Sequence, residues 1–280
     1  MCGALHGIII AKQGRFTQVR KVVERMLLAV DVGNTHTVLG IYEGAELQHM
    51  WRIETNAKET ADELRVSLGG LFQLAGFSKD DITGVVVATV VPALRRLWIK
   101  VGSEMMNQEV LCIDTEVAGD LFDASAYPST TIGADRIADA VAARAIYGAP
   151  VIVLDFGTAT NMEVIDAEGR FLGGVIAPGV ETSMKALFSN AALLPEVELA
   201  DPVGAWGTST VEAMQVGIVY GEGDRVDGLV RRMWKQLGYE TPVIATGGLS
   251  RAMQPFCATV TEVNQELTLE GLRMIWEAHQ

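Results

Sequence analysis

The sequence predicts an α/β protein made of two copies of one domain, and three observations carry that expectation. Two segments share one design, Leu28-Ala-Val-Asp31-Val-Gly33-Asn-Thr35 and Val153-Leu-Asp155-Phe-Gly157-Thr158-Ala-Thr160, and their aspartates lie 124 residues apart. Strand-like and helix-like segments alternate in the mixed order of α/β layers. The 280 residues, 49% of them apolar, suffice for two modest cores at about 150 residues per domain.

Each copy starts as an apolar, β-branched run, presents Asp-x-Gly at a turn and resumes as a second strand, Thr37 to Tyr42 or Met162 to Ile165. Each then reaches a turn, Glu43-Gly44 or Asp166 to Gly169, so both units read as hairpins. Residues 84–91 and the run around Val151 are strand-like. Thr60 to Ala75, Pro92 to Met106 and Ala134 to Tyr147 carry helical periodicity. In the second half, helix-like Thr210 to Leu237 precedes a short strand at Pro242 to Ala245, the turn Thr246-Gly247-Gly248 and a helical stretch at Leu249 to Phe256. A last helix covers about Thr268 to Ala278. Gly173-Gly174-Val-Ile-Ala-Pro178-Gly179 reads as a turn-rich link. The boundary falls near residues 135–150, dividing a first domain, 26–140, from a second, 141–280, with the cleft between them as the expected site. Residues 1–25, with Lys12, Arg15, Arg20, Lys21 and Arg25, are expected to be a poorly ordered extension.

Charge and composition remove several function classes. A formal charge of -13 opposes a surface that neutralises phosphodiesters, so DNA and RNA are not expected partners. A nucleotide is compatible with it, because backbone N–H groups at tight turns and a bound cation can hold phosphates locally. Cys2, Cys112 and Cys257 are odd in number and widely spaced, which suits a reducing, cytoplasmic setting. No apolar run reaches the roughly 20 residues of a membrane span. The chain has no GxxxxGK[ST] stretch and no HRD or DFG set. His6, His36, His49 and His279 lack metal-ligand spacing, so zinc is not expected.

The loops imply phosphate chemistry. Asp-x-Gly followed by small hydroxyl residues lets the backbone approach phosphates while the acid faces a bound metal or its waters. A single such turn is commonplace, but two in register on equivalent hairpins would grip one nucleotide from both sides. Thr246-Gly247-Gly248, between a strand and a helix, suits a base or ribose. Gly133-Ala134-Asp135-Arg136 opens a helix. There Asp135 can act as base toward a substrate hydroxyl and Arg136 can hold an anionic substrate. An acid and a salt bridge in a helix's first turn would have the same sequence.

Six motifs in order, Asp31 to Thr35, Gly133 to Arg136, Asp155 to Thr160, Gly173 to Gly179, Thr210 to Met214 and Thr246 to Gly248, make the chain resemble the type III pantothenate kinases. The resemblance spans nearly the whole chain from Met26. It implies duplicated actin-like (ribonuclease H-like) domains with an ATP cleft between them, and ATP-dependent phosphorylation of pantothenate, the first step of coenzyme A biosynthesis. It implies Mg2+, a monovalent cation (K+ or NH4+) and a homodimer whose interface completes the substrate pocket. By position it makes Asp135 the general base, and Asp31, Val32, Gly33, Asn34, Thr35, His36, Thr37 and Val38 the first ATP loop. Thr158 becomes an ATP contact and Asp155 the monovalent-cation ligand. Gly133, Ala134, Asp135, Arg136, Thr210 and Tyr127 become pantothenate contacts. Three places depart from the family pattern: Asn161 stands after Thr160, the stretch Ala126-Tyr127-Pro128-Ser129 lacks an Asn, and Gly207-Thr208-Ser209 lacks the usual Lys and Asn. A kinase of another small hydroxyl compound and a non-catalytic nucleotide-binding regulator are the competing readings.

Overall fold

The computed structural model describes residues 26–128, 131–191 and 193–280. The expected N-terminal extension lies outside the described residues, as do Cys2, His6 and Ser129. The first sheet starts as an antiparallel meander, β1 (Met26–Val32), β2 (His36–Glu43) and β3 (Glu46–Glu54). α1 (Ala61–Ala75) follows, beginning one residue after Thr60 because Thr60 and Glu63 cap it reciprocally. The Thr60 N–H donates to Glu63 Oε2 at 2.8 Å and the Glu63 N–H to Thr60 Oγ1 at 3.3 Å. β4 (Ile82–Thr89) then runs parallel to β1, α2 (Pro92–Met106) crosses over, and β5 (Val110–Cys112) closes the order β3-β2-β1-β4-β5. Buried on both faces, β1 and β4 are near-continuous apolar runs.

After α3 (Thr115–Ala118) and α4 (Ala134–Tyr147), the second copy repeats the plan with β6 (Val151–Phe156), β7 (Ala159–Ile165) and β8 (Phe171–Pro178). α5 (Val180–Asn190) and the long α6 (Thr210–Leu237) lead to β9 (Val243–Thr246), parallel to β6. α7 (Ser250–Met253), β10 (Glu262–Val263) and α8 (Leu267–Glu277) complete the chain. The order β10-β9-β6-β7-β8, read from its other edge, matches the first sheet strand for strand. The molecule is therefore a duplicated actin-like fold.

The turn-rich link expected at residues 173–179 is instead mostly strand β8, paired along β7. Glycine and proline lower β-propensity locally, but Gly174 fits here because a side chain would strike the Met162 carbonyl, its Cβ only 1.7 Å from that oxygen. Each expected hairpin gains this third strand, β3 or β8.

Three cores separate the layers. α1 and α2 cover one face of the first sheet with Leu64, Leu68, Phe72, Leu94 and Trp98. α6 covers the outer face of the second sheet with Ile218, Val226 and Val230. Between the sheets lie α4 and α8, where Ile137, Ala138, Val141, Leu272 and Ile275 join Ala29 and Val86 of one sheet to Val153 and Ile244 of the other. Residue 140, where the sequence reading divides the halves, lies within α4. α8 returns to the first sheet, with the Trp276 ring seated on Gly84 of β4.

Candidate active site

Each of the two Asp-x-Gly turns is closed by a hydrogen bond from its glycine N–H, the first turn being one residue longer than the second. The Gly33 N–H donates to the His36 carbonyl and the Gly157 N–H to the Ala159 carbonyl, each at 3.0 Å. The loops face each other, with Thr35 Oγ1 and Thr158 Oγ1 hydrogen-bonded at 2.7 Å. The second loop is braced from α5: the Gly179 N–H and Thr182 Oγ1 both donate to the Thr158 carbonyl, at 3.1 and 2.6 Å. Asp31, Gly33, Asn34, Thr35, His36 and Val38 line the cleft with Asp155 and Thr158. Val32 and Thr37 face the core instead, Thr37 Oγ1 bonding Thr55 Oγ1 at 2.8 Å.

The start of α4 supplies the third wall. Asp135 lines the cleft, and its Oδ1 accepts the Arg136 N–H at 2.8 Å. Arg136 turns away, its Nε donating to Glu163 Oε1 at 2.6 Å and its guanidinium lying 5.4 Å from the Phe171 ring centre. Thr246, Gly247 and Gly248 line the same cleft from the β9 end. The structure thus gathers Asp31, Asp135 and Asp155, distant in sequence, around one space.

Tyr127 stands elsewhere, edge-on to Phe171 with ring centres 5.3 Å apart. Thr210 opens α6 and lines a separate groove of about 870 Å³ between α5 and α6, with Pro178, Leu187, Met214 and Ile218. Neither is among the residues lining the cleft.

Several cleft or near-cleft residues carry no assignment from the sequence, and four of them bear charge or a hydroxyl. Arg52 on β3 and Thr268 on α8 line the cleft. Asp139 lies one turn beyond Asp135 and accepts from Thr268 Oγ1 at 2.7 Å. Glu163 is fully buried, and its Oε2 has no hydrogen-bond partner among the described residues. Asp139 was within reach of helical i, i+4 spacing, and Glu163 as a charge inside an apolar strand. Arg52, on a strand of alternating polar residues, gave no local signal.

These carboxylates strain one another electrostatically. Burial, followed by the charges of Asp135 and Asp155, raises Asp31 well above the usual carboxylate range, while Arg52 opposes the rise. Burial and then Asp135 push Asp155 up to about 7. Burial raises Asp135, although its bond from the Arg136 N–H works against that. Glu163 is pushed up to about 8 by burial, despite the Arg136 ion pair. Added positive charge would relieve all of them. No group of three or more His, Cys, Asp or Glu side chains among the described residues forms a metal cage. One or two carboxylates beside a phosphate site nevertheless fit Mg2+, which keeps several waters and takes substrate phosphates as ligands.

The family model of type III pantothenate kinases matches residues 27–232. A type III pantothenate kinase of Brevibacillus brevis is 42% identical over 255 residues, covering 91% of this chain and all of the relative. One of Acidothermus cellulolyticus is 44% identical over 256 residues, covering 90% of this chain and 98% of the relative. Among solved structures, the ethanolamine utilization protein EutJ of Carboxydothermus hydrogenoformans superposes with TM-score 0.53 at 15% identity over 89% of each chain, a likeness of fold alone. Motif order, duplicated sheets and near-full-length identity agree: the chain belongs to the type III pantothenate kinase family.

Proposed function

We propose that the cleft between the two sheets is the ATP site and that Asp135 is the general base of the reaction. The protein catalyses ATP-dependent phosphorylation of pantothenate to 4'-phosphopantothenate, the entry to coenzyme A biosynthesis. The observation that carries the site assignment is the convergence of Asp31, Asp155 and Asp135 on two loops joined at Thr35 and Thr158. In this reading the turns from Asp31 to Val38 and at Thr158 cradle the phosphates with N–H groups and hydroxyls. Asp31 and Asp155 would hold Mg2+, and Asp155 would also bind the K+ or NH4+ ion. Such cations supply charge neutralisation of the phosphates.

Asp135 accepts the proton of the pantothenate hydroxyl as the oxygen–phosphorus bond forms and the bond from the γ-phosphorus to the bridging oxygen of ADP breaks. A base raised toward the working pH is suited to this step, provided it is ionised. Gly133 and Ala134 supply backbone to the same substrate, and the positive charge of Arg136, held beyond Asp135 by Glu163, attracts its carboxylate. Because Thr210 and Tyr127 stand apart from Asp135, we further propose that the active form is a homodimer in which Thr210 of the partner subunit completes the pocket. The two halves, 26–140 and 141–280, close on the nucleotide. Cys112 and Cys257 are buried and unpaired, which favours a cytoplasmic setting.

The deciding experiment is a coupled ADP assay of wild type and Asp135→Asn with pantothenate, K+ and a panel of other small alcohols. Wild type should turn over pantothenate in preference to the panel, and Asp135→Asn should fold but lose about 10²–10⁴ in kcat. A mutant with unchanged kcat removes the base assignment.

A further inference from the structure

An acidic cleft that accepts a nucleoside triphosphate gains from positive charge on the chain, and among the described residues Arg52 is the sole Lys or Arg lining it. Its position follows from strand register. Arg52 of β3 pairs with Val38 of β2, and Val38 pairs with Asp31 of β1. Directly paired residues point to the same face of a sheet, so Arg52 and Asp31 share the cleft face, two strands apart. The equivalent row in the second copy runs Asp155, Asn161, Ile176, so the duplication supplies this cation once only.

The side chain is available for a ligand. Arg52 is exposed, and it forms no ion pair or hydrogen bond with another described residue. A neighbouring recess, lined by Thr35, Thr158, Gly248 and Lys185, also includes Arg52, which therefore stands where both recesses meet the phosphate loops. Gly248 seats the guanidinium: a Cβ at that position would lie 3.0 Å from Nη1 and 3.4 Å from Cζ. Arg52 also opposes the upward shift of both Asp31 and Asp155, which is the field an incoming phosphate would meet.

We propose that Arg52 is a further catalytic residue, its planar guanidinium donating to non-bridging oxygens of the ATP phosphates and offsetting charge as the γ-phosphoryl group passes to the alcohol. Arginine suits the task because its fork of donors matches phosphate oxygens in pairs and stays charged throughout. No proton leaves it. The proposal rests on the cleft being the ATP site.

The test compares wild type with Arg52→Ala and Arg52→Lys, and with Arg96→Ala, which removes the same charge from the exposed face of α2. Measured are kcat, KM for ATP at saturating pantothenate, melting temperature, and affinity for ATP and AMP by calorimetry without pantothenate. Arg52→Ala should lose about 10²–10³ in kcat/KM for ATP at unchanged melting temperature, with partial recovery in Arg52→Lys. Added guanidinium ion should restore part of the Arg52→Ala rate and leave wild type unaffected. The preference for ATP over AMP should shrink in Arg52→Ala and persist in Arg96→Ala. If wild type is active and Arg52→Ala stays within about threefold of it in kcat and KM, the proposal is wrong while the kinase reading stands. If wild type ignores pantothenate yet Arg52→Ala loses its preference for ATP, the pantothenate reading fails and Arg52 keeps its role. An undiminished ATP preference in Arg52→Ala overturns the proposal in that case too.

Discussion

At the scale of single residues, the site depends on positions where a side chain is absent as much as on those where one is present. Gly247 has φ +88°, and a Cβ there would stand 2.1 Å from Asp155 Oδ1 and 2.6 Å from the Phe156 carbonyl. Positive φ and overpacking act together at this turn. Gly247→Ala should therefore cost about 1–3 kcal/mol and displace the Asp155 carboxylate. Urea denaturation with activity titrated against K+ checks this; an unaltered response to K+ in a destabilised variant would separate the turn from the proposed cation site. Asp31, Asp135 and Asp155 were legible in the sequence because each sits in a short motif with glycine. Asp139, Glu163, Arg52 and Thr268 were not, since their neighbours across the site come from other elements.

Among the secondary-structure elements, α2, α4 and α6 span the residues their periodicity predicts, because amphipathic faces and capping are local properties. β3 and β8 escaped, one through its alternating polar residues and the other through its glycines, and each is stabilised by pairing to a neighbouring strand. The α4–α8 crossing is the contact that ties the two sheets together, and it is close enough that a Cβ on Gly271 would lie 2.0 Å from the Ala138 carbonyl. Gly271→Ala would gain up to about 1 kcal/mol of helix propensity, yet forcing the helices apart costs typically 1–3 kcal/mol. The net expectation is destabilisation, read as a lower urea midpoint at constant m-value. A raised midpoint would mean that the two helices separate at little cost.

For the whole molecule, the buried carboxylates link stability to pH. Asp155 moves from an ordinary 3.8 to about 7 on folding, and Glu163 from 4.5 to about 8. Between those values the folded chain holds protons that the unfolded chain has released, so stability falls as pH rises from about 4 to about 8. The ligand-free protein should therefore melt at a lower temperature at pH 8 than at pH 6. Mg2+–ATP with K+ should raise the melting temperature more at pH 8, where the Asp155 carboxylate is charged. Scanning calorimetry at the two pH values checks both, and a melting temperature independent of pH would exclude the burial assigned to these groups.

By itself the sequence determined the duplicated hairpins, three of the long helices, the Asp-x-Gly loops and the acid at the head of α4, because period, turn chemistry and motif spacing are encoded over a few residues. Only the tertiary structure decided that Asp31, Asp135 and Asp155 meet in one cleft, that Arg52 enters it from an unremarked strand, and that Thr210 and Tyr127 stand outside it. Those relations depend on strand register and on the α4–α8 crossing, which bring together side chains separated by 100 residues or more and leave no trace in any local pattern.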